Sequence, residues 1–95
     1  MPILRIEHPV SDFDAWKEIF DGDPLDRKGS GVRRYRVLRP IDDPNYVLVD
    51  LEFDSEGEAE AVQAALRDLW RRVEADGLIG SQRAQIVEVV ESQEL

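Results

Sequence analysis

A strand pattern runs directly into a helix pattern in residues 46–73, which read YVLVDLEFDSEGEAEAVQAALRDLWRRV. Every second residue of the first part is apolar, the period of a strand with one buried face. These apolar positions are Val47, Val49, Leu51 and Phe53. Ser55 and Glu58 then form a capping box, and the acidic first turn suits the positive end of a helix dipole. Apolar residues recur at steps of three and four beyond it, which predicts a helix over about residues 55–74.

The residues before this segment predict a strand followed by a short helix. In residues 3–8, one predicted strand face carries Leu4, Ile6 and His8. Pro9 ends that strand because it lacks the N–H group that a strand ladder needs. Ser11 is the predicted N-cap of a helix over residues 12–20. The aromatic residues of this helix fall on one stripe and are Phe13, Trp16 and Phe20.

Two more predicted strands, residues 32–39 and 83–91, complete the order of elements. The resulting order, β-α-β-β-α-β, is that of the ferredoxin-like α+β fold. This fold has a four-stranded antiparallel sheet in the order 4-1-3-2, with both helices on one face. The sequence therefore predicts one ferredoxin-like domain over residues 1–95.

The second face of such a sheet is uncovered in a single chain. Apolar residues expected there are Val32, Leu38 and Leu48. A second sheet is the simplest cover for an apolar sheet face, and pairing would also enlarge the small core of a 95-residue chain. A homodimer through the sheet faces is therefore predicted.

The charge balance is strongly acidic, since 12 basic and 21 acidic residues give a net charge of −9. Such a chain repels nucleic acids and anionic membranes, and acidic residues soon follow its arginine cluster at residues 33–39. No apolar run approaches the roughly 20 residues of a membrane span. The N-terminus has no signal-peptide core. We therefore predict a cytoplasmic protein with neither a nucleic-acid nor a membrane partner.

The absence of cysteine and the presence of one histidine limit the chemistry. Without cysteine the chain has no thiolate nucleophile, disulfide, Fe–S cluster or Cys-type zinc site. One histidine is too few for a dedicated zinc or iron site. No metal and no cofactor are predicted.

The segment Phe13-Asp14-Ala15-Trp16-Lys17, the strand pair over residues 32–53 and the capped second helix resemble the dimeric α/β-barrel superfamily. Its members include antibiotic-biosynthesis monooxygenase-like proteins, polyketide cyclase-like proteins, haem-degrading monooxygenases and stress-responsive barrel proteins. The resemblance covers nearly the whole chain in element order. It implies a dimeric α/β barrel and a small-molecule cleft between the helices and the sheet of each subunit.

Two classes of function follow from this resemblance. The first is a cofactor-free monooxygenase or cyclase that acts on an aromatic or polyketide-like substrate. A haem-degrading enzyme would carry a histidine on the second helix, where this sequence has Trp70 and no histidine. The second is a non-catalytic dimeric module that binds a ligand or another protein.

The polar residues expected in the cleft are His8, Tyr35, Arg39 and Gln85. His8, Arg39 and Gln85 are predicted towards one end of the sheet. His8 is the candidate general base, since imidazole titrates near neutral pH. The alternative is a half-exposed histidine in a turn at the end of a strand.

Trp16 and Trp70 are the candidate aromatic walls of a ligand pocket, and Tyr35 is a candidate hydrogen-bond donor into it. The alternative for Trp16, which the spacing favours, is a core residue beside Phe13 and Phe20. Trp70 lies one step off the main stripe of its helix and is therefore predicted at the rim.

Asp50 and Glu52 share a strand face at a separation of about 6.6 Å, which resembles a catalytic carboxylate pair. Arg34 and Arg36 lie on the same face of the neighbouring strand. In one register Arg36 faces Asp50 and Arg34 faces Glu52, and in the other Arg34 faces Asp50. Cross-strand ion pairing is therefore the favoured interpretation.

Overall fold

The computed structural model of the protein describes residues 1–74 and 81–95. Its elements are β1 (Ile3–Pro9), α1 (Phe13–Asp21), β2 (Arg34–Leu38), β3 (Tyr46–Glu52), α2 (Glu56–Glu74) and β4 (Arg83–Val87). This is the predicted β-α-β-β-α-β order. Asp76-Gly77 and Gly80-Ser81 predict a loop before the last strand, and all of these residues except Ser81 lie outside the described ones. Neither described helix is long and apolar enough to cross a membrane.

The four strands form one antiparallel sheet in the order β2-β3-β1-β4, which confirms the predicted order. Leu4 lies opposite Leu51, and His8 lies opposite Val47. Directly opposed residues share a sheet face, so the apolar residues of β1 and those of β3 point to the same side of the sheet. The sheet does not close on itself within one chain, because β2 and β4 are its edges.

The core lies between the helices and one face of the sheet. Leu4 and Phe53 are fully buried there. The apolar stripe of α2 packs on the same face and supplies Ala59, Val62 and Leu66, as its spacing predicts. The side chain of Val73, the last residue of the predicted stripe, lies outside what the structure describes.

Both helices begin at polar caps, but the cap of α1 is Asp12 and not Ser11. Asp12 has extended backbone dihedrals, and its carboxylate accepts hydrogen bonds from the N–H groups of Asp14 at 3.0 Å and Ala15 at 3.3 Å. The serine half of the capping box predicted for α2 is confirmed, because the Ser55 hydroxyl accepts from the Glu58 N–H at 3.3 Å. The same hydroxyl donates to the Glu58 carboxylate.

Strand β4 differs from its prediction in length and in facing. It ends at Val87, and no strand continues from there to residue 91. Ala84 and Ile86 lie opposite Ile6 and Leu4 and pack against the core. The inward facing predicted for Gln85 is therefore wrong. The adjacent apolar pair Ile86-Val87 allows either facing, and a shift of one residue moves every side chain of a strand to the opposite face.

The loop of residues 22–33 between α1 and β2 is held by its own hydrogen bonds. The Ser30 hydroxyl donates to the Leu25 carbonyl at 2.6 Å, and the Val32 N–H donates to the Arg27 carbonyl at 2.9 Å. Gly31 has a φ of 97°, a region that favours glycine. The loop packs Leu25 and Val32 against the core, so the placement of Val32 on the open sheet face is wrong.

Candidate functional site

An apolar cavity of about 90 Å³ lies between the helices and the inner sheet face. Its aliphatic lining comes from β1, β3 and α2 and consists of Ile6, Val49, Leu51, Leu66 and Leu69. The aromatic part of the wall comes from the two helices, and residues of the loop after α1 form the rest of it. The cleft between helices and sheet is therefore a real space with an almost entirely hydrocarbon lining.

His8 is the buried polar group of this cavity. It points inward because it shares the β1 face of Leu4 and Ile6, and only 2% of its surface is exposed. Its ring meets the rings of Trp16 and Trp70 edge to face, at centroid distances of 6.0 and 6.2 Å. The alternative of a half-exposed turn histidine is therefore wrong.

The hydrogen bond of His8 fixes the tautomer of its ring. Nδ1 lies 3.0 Å from the carbonyl oxygen of Pro9. A carbonyl only accepts hydrogen bonds, so Nδ1 carries the proton and the neutral ring has its lone pair on Nε2. Burial lowers the pKa of His8, and the bond to Pro9 offsets part of this effect. The ring is therefore a neutral proton acceptor at neutral pH.

Both predicted tryptophans line the cavity. Trp16 is also a core residue, stacked on Phe20 at 5.2 Å and beside Phe13 at 5.7 Å, as its spacing predicts. Trp70 is 9% exposed and belongs to the core, so the rim position predicted for it is wrong. It follows Leu66 by four residues, which places both on one helix face.

Arg27 lines the cavity, although no pattern in the sequence indicates it. Its guanidinium lies over the rings of Phe20 at 4.0 Å and Tyr35 at 4.7 Å. It donates to the Phe20 carbonyl at 2.7 Å and lies 3.3 Å from the Asp23 carboxylate. Arg27 and Asp23 line the cavity, whereas Tyr35 contacts Phe20 and Arg27 without lining it. Their position depends on the loop conformation, which no local spacing signals.

Besides Tyr35, two other predicted cleft residues do not line the cavity. Arg39 is exposed, with its guanidinium 4.4 Å from the centre of the Phe13 ring. Gln85 lies opposite Arg5 and therefore on the other face of the sheet from His8. The predicted grouping of His8, Arg39 and Gln85 is therefore not formed.

The acidic residues of β3 are ion-paired on the open sheet face. Arg36 lies opposite Asp50 and Arg34 opposite Glu52, the first of the two predicted registers. Asp50 is 2% exposed and accepts two hydrogen bonds of 2.8 Å from Arg5 and one of 3.1 Å from Arg36. These bonds lower the pKa of Asp50, and the bond from Arg5 has the largest effect. Burial acts in the opposite direction. Cross-strand pairing accounts for both carboxylates.

Within residues 1–74 and 81–95, no group of three or more His, Cys, Asp or Glu side chains is placed to hold a metal ion. The groups that the described cavity itself offers are its side chains. These are one neutral imidazole among aromatic and aliphatic groups, with the Arg27–Asp23 pair on its wall. Such a lining suits a flat apolar ligand from which a proton is removed.

No protein-family model matches the chain, and no curated protein matches its sequence. Solved structures share its fold. A candidate antibiotic biosynthesis monooxygenase from Deinococcus radiodurans is 17% identical over 100% of this chain and 98% of its own, with a TM-score of 0.71. SnoaB, a cofactor-independent oxygenase from Streptomyces nogalater, is 12% identical over 96% and 94%, with a TM-score of 0.75. A dimeric ferredoxin-like protein from an uncultured marine organism is 8% identical over 100% of both chains, with a TM-score of 0.63. The chain thus has the ferredoxin-like fold of the antibiotic biosynthesis monooxygenase-like proteins.

Proposed function

We propose that the protein binds a small aromatic compound in the apolar cavity and that His8 is the general base of a cofactor-free monooxygenase or cyclase reaction. The observation that carries this proposal is a buried neutral imidazole between two tryptophans. Its Nε2 lone pair is the proton acceptor of the cavity. The name of one structural neighbour, a cofactor-independent oxygenase, agrees with such chemistry.

The monooxygenase version requires a substrate that supplies its own electrons. A methylene group between two oxygen-bearing aromatic rings is such a substrate, because loss of a proton to His8 leaves a stabilised carbanion. The carbanion reduces O₂, and one oxygen atom becomes a carbonyl at the former methylene carbon. The other oxygen atom leaves as water with the two hydrogens of the methylene, so no external reductant is consumed. In the cyclase version the same carbanion attacks a carbonyl carbon of the substrate. The π bond of that carbonyl breaks, and its oxygen takes up the proton held by His8.

Ligand binding is tested by tryptophan fluorescence and thermal unfolding with polycyclic phenols, quinones and haem. Trp16 and Trp70 both line the cavity, so an occupant changes their emission. Binding to the folded state also raises the melting temperature. We expect saturable quenching by at least one aromatic phenol or quinone and a matching rise in melting temperature.

A cavity-filling variant makes this test specific. Leu69→Phe adds volume to the cavity wall and is expected to weaken binding at least about tenfold. Leu95→Phe makes the same exchange at an exposed position and is expected to leave the affinity unchanged. Equal affinities of the two variants would place the ligand elsewhere and contradict the proposal.

A non-catalytic binding role is the second candidate, and a specific observation favours it. The cavity offers few titratable groups, and two of them, Arg27 and Asp23, are paired with each other. Oxygen uptake with a bound reduced aromatic separates the candidates. Uptake that is lost in His8→Ala supports the monooxygenase, whereas tight binding with neither uptake nor cyclised product in either protein supports the binding module.

We also propose that two chains pair through their open sheet faces and thereby complete an α/β barrel. The ladder registers place four arginines and three carboxylates on this face, namely Arg5, Arg34, Arg36, Arg83, Glu7, Asp50 and Glu52. Its charge is therefore nearly balanced, although the chain carries −9. Leu38 is 40% exposed on the same face. A balanced face with exposed apolar area brings two acidic chains together with little repulsion.

Sedimentation velocity tests this assembly. We expect a dimer at micromolar concentration, and we expect Leu38→Glu to shift it towards the monomer by adding a negative charge to each copy of the face. Leu95→Glu adds the same charge at an exposed position outside the strands and is expected to leave the dimer intact. A stable wild-type monomer at this concentration would contradict the pairing.

A further inference from the structure

Half of the basic side chains of this acidic protein lie in one segment. Residues 27–39 contain six of the 12 Lys and Arg residues and none of the 21 Asp and Glu residues. The chain as a whole repels anions, so this segment is a local exception. A concentration of one charge sign beside low-dielectric walls raises the local concentration of oppositely charged ligands.

The fold turns part of this segment into a groove of about 390 Å³. Its charged lining consists of Arg27, Lys28, Arg33 and Arg34, with Asp23 as the one acidic member. The groove and the apolar cavity adjoin each other, because Asp23 and Arg27 line both. The two spaces together have an apolar part and a cationic part.

The groove is built on an ordered backbone. The Arg27 N–H donates to the Asp23 carboxylate at 2.9 Å, and the Ser30 N–H donates to the Asp26 carbonyl at 2.8 Å. The Arg27 guanidinium is fixed against the Phe20 carbonyl and two aromatic rings. A cation held in this way loses little conformational entropy when a ligand binds.

The arginines of the groove form ion pairs, whereas no ion pair joins Lys28 to a described residue. Arg33 pairs with Asp54 at 2.7 Å and Arg34 pairs with Glu52 at 3.3 Å. Lys28 is exposed and forms no ion pair with any residue that the structure describes. Each paired arginine also has more N–H donors than its partner uses. An anion in the groove therefore meets one uncompensated ammonium and spare guanidinium donors.

We propose that the ligand of the apolar cavity carries an anionic group, a phosphate or a carboxylate, which lies in the groove against Lys28 and Arg27. The proposal rests on the proposed binding function, because the aromatic part of the same molecule occupies the cavity. Charge-assisted hydrogen bonds from ammonium and guanidinium groups are the strongest that these side chains form with such anions. The groove thus selects anionic aromatic compounds over neutral ones.

Isothermal titration of the full chain with 2-naphthol and 2-naphthyl phosphate tests this selection, since the two compounds share their rings. At 20 mM salt we expect the phosphate ester to bind about tenfold more tightly than the phenol. Salt screens partly exposed charges, so the preference is expected to fall below about twofold at 0.5 M. Titration with inorganic phosphate alone shows whether the groove binds an anion that has no aromatic part in the cavity.

Two charge-matched variants locate the effect. Lys28→Gln removes one positive charge from the groove and is expected to abolish most of the preference for the ester without changing the affinity for 2-naphthol. Arg71→Gln removes one positive charge from the exposed surface of α2, where Arg71 pairs with Asp68, and is expected to change neither affinity. Equal effects of the two variants would overturn the assignment to the groove.

The outcomes separate this inference from the function on which it rests. If both compounds bind equally, the groove is not an anion subsite, whereas the cavity remains a binding site. If inorganic phosphate binds as tightly as the ester, the groove is a separate anion site and the joint ligand is overturned. If neither aromatic compound binds, the proposed binding of small aromatic compounds and the inference fail together.

Discussion

Trp16→Ala is expected to lower the free energy of unfolding by about 3 to 5 kcal/mol, the usual cost of removing a large aromatic side chain from a core. Trp16 is 8% exposed and is the buried residue of α1. It stacks on Phe20 and meets His8 edge to face, so its loss removes dispersion contacts in several directions. Urea denaturation followed by circular dichroism measures the change.

A neighbour on the same helix is the control for this result. Ile19→Ala removes an apolar side chain that is 43% exposed and is expected to cost less than about 1.5 kcal/mol. Trp16→Phe retains part of the packing and is expected to fall between the two. A loss below about 1 kcal/mol for Trp16→Ala would contradict the packing of α1 on the sheet.

Asp50→Asn is expected to cost about 2 to 4 kcal/mol, although it preserves the shape of the side chain. The buried carboxylate accepts hydrogen bonds from both Arg5 and Arg36, and an amide leaves both guanidiniums without their counter-charge. Glu52→Gln is the control, because among the described residues Glu52 pairs with Arg34 alone, whose side chain is 75% exposed in the single chain. Exposed pairs contribute less than about 1 kcal/mol.

Asp50→Asn is also expected to change how the stability of the protein depends on pH below about pH 4. The pKa of Asp50 in the folded state lies below its ordinary value of 3.8, so folding favours the ionised carboxylate. This contribution is present above the ordinary value and is lost as pH falls through the folded-state pKa. The wild-type chain should therefore lose stability more steeply than Asp50→Asn below about pH 4. Parallel curves over this range would contradict the role assigned to Asp50.

Much of the fold follows from periodicity, but the facing of β4 does not. Strands β1 and β3 each have one clear apolar face, and a capping box marks the start of α2. In β4 the adjacent residues Ile86 and Val87 are both apolar, so the pattern alone allows either facing. The pairing of Leu4 with Ile86 decides between them, and this contact spans the whole chain.

The facing of a site residue can be predicted where it follows from the periodicity of a single strand or helix. His8 follows the inward phase of β1, and Trp70 follows Leu66 by one helical turn, although the rim position was predicted for it. Arg27 was not predictable, because its position depends on loop residues and on rings from α1 and β2. Asp50 was placed in its cross-strand pair, but its second partner, Arg5, comes from a strand distant in sequence.

A chain with one histidine contains its own spectroscopic label. The imidazole of His8 gives a single set of ring resonances in proton–nitrogen correlation spectra, without isotopic editing by residue type. The two indole rings around it impose ring-current shifts that depend on their distances and angles. Any molecule that enters between them changes this local field. Occupancy of the cavity and the protonation state of its base can therefore be followed by NMR at one residue.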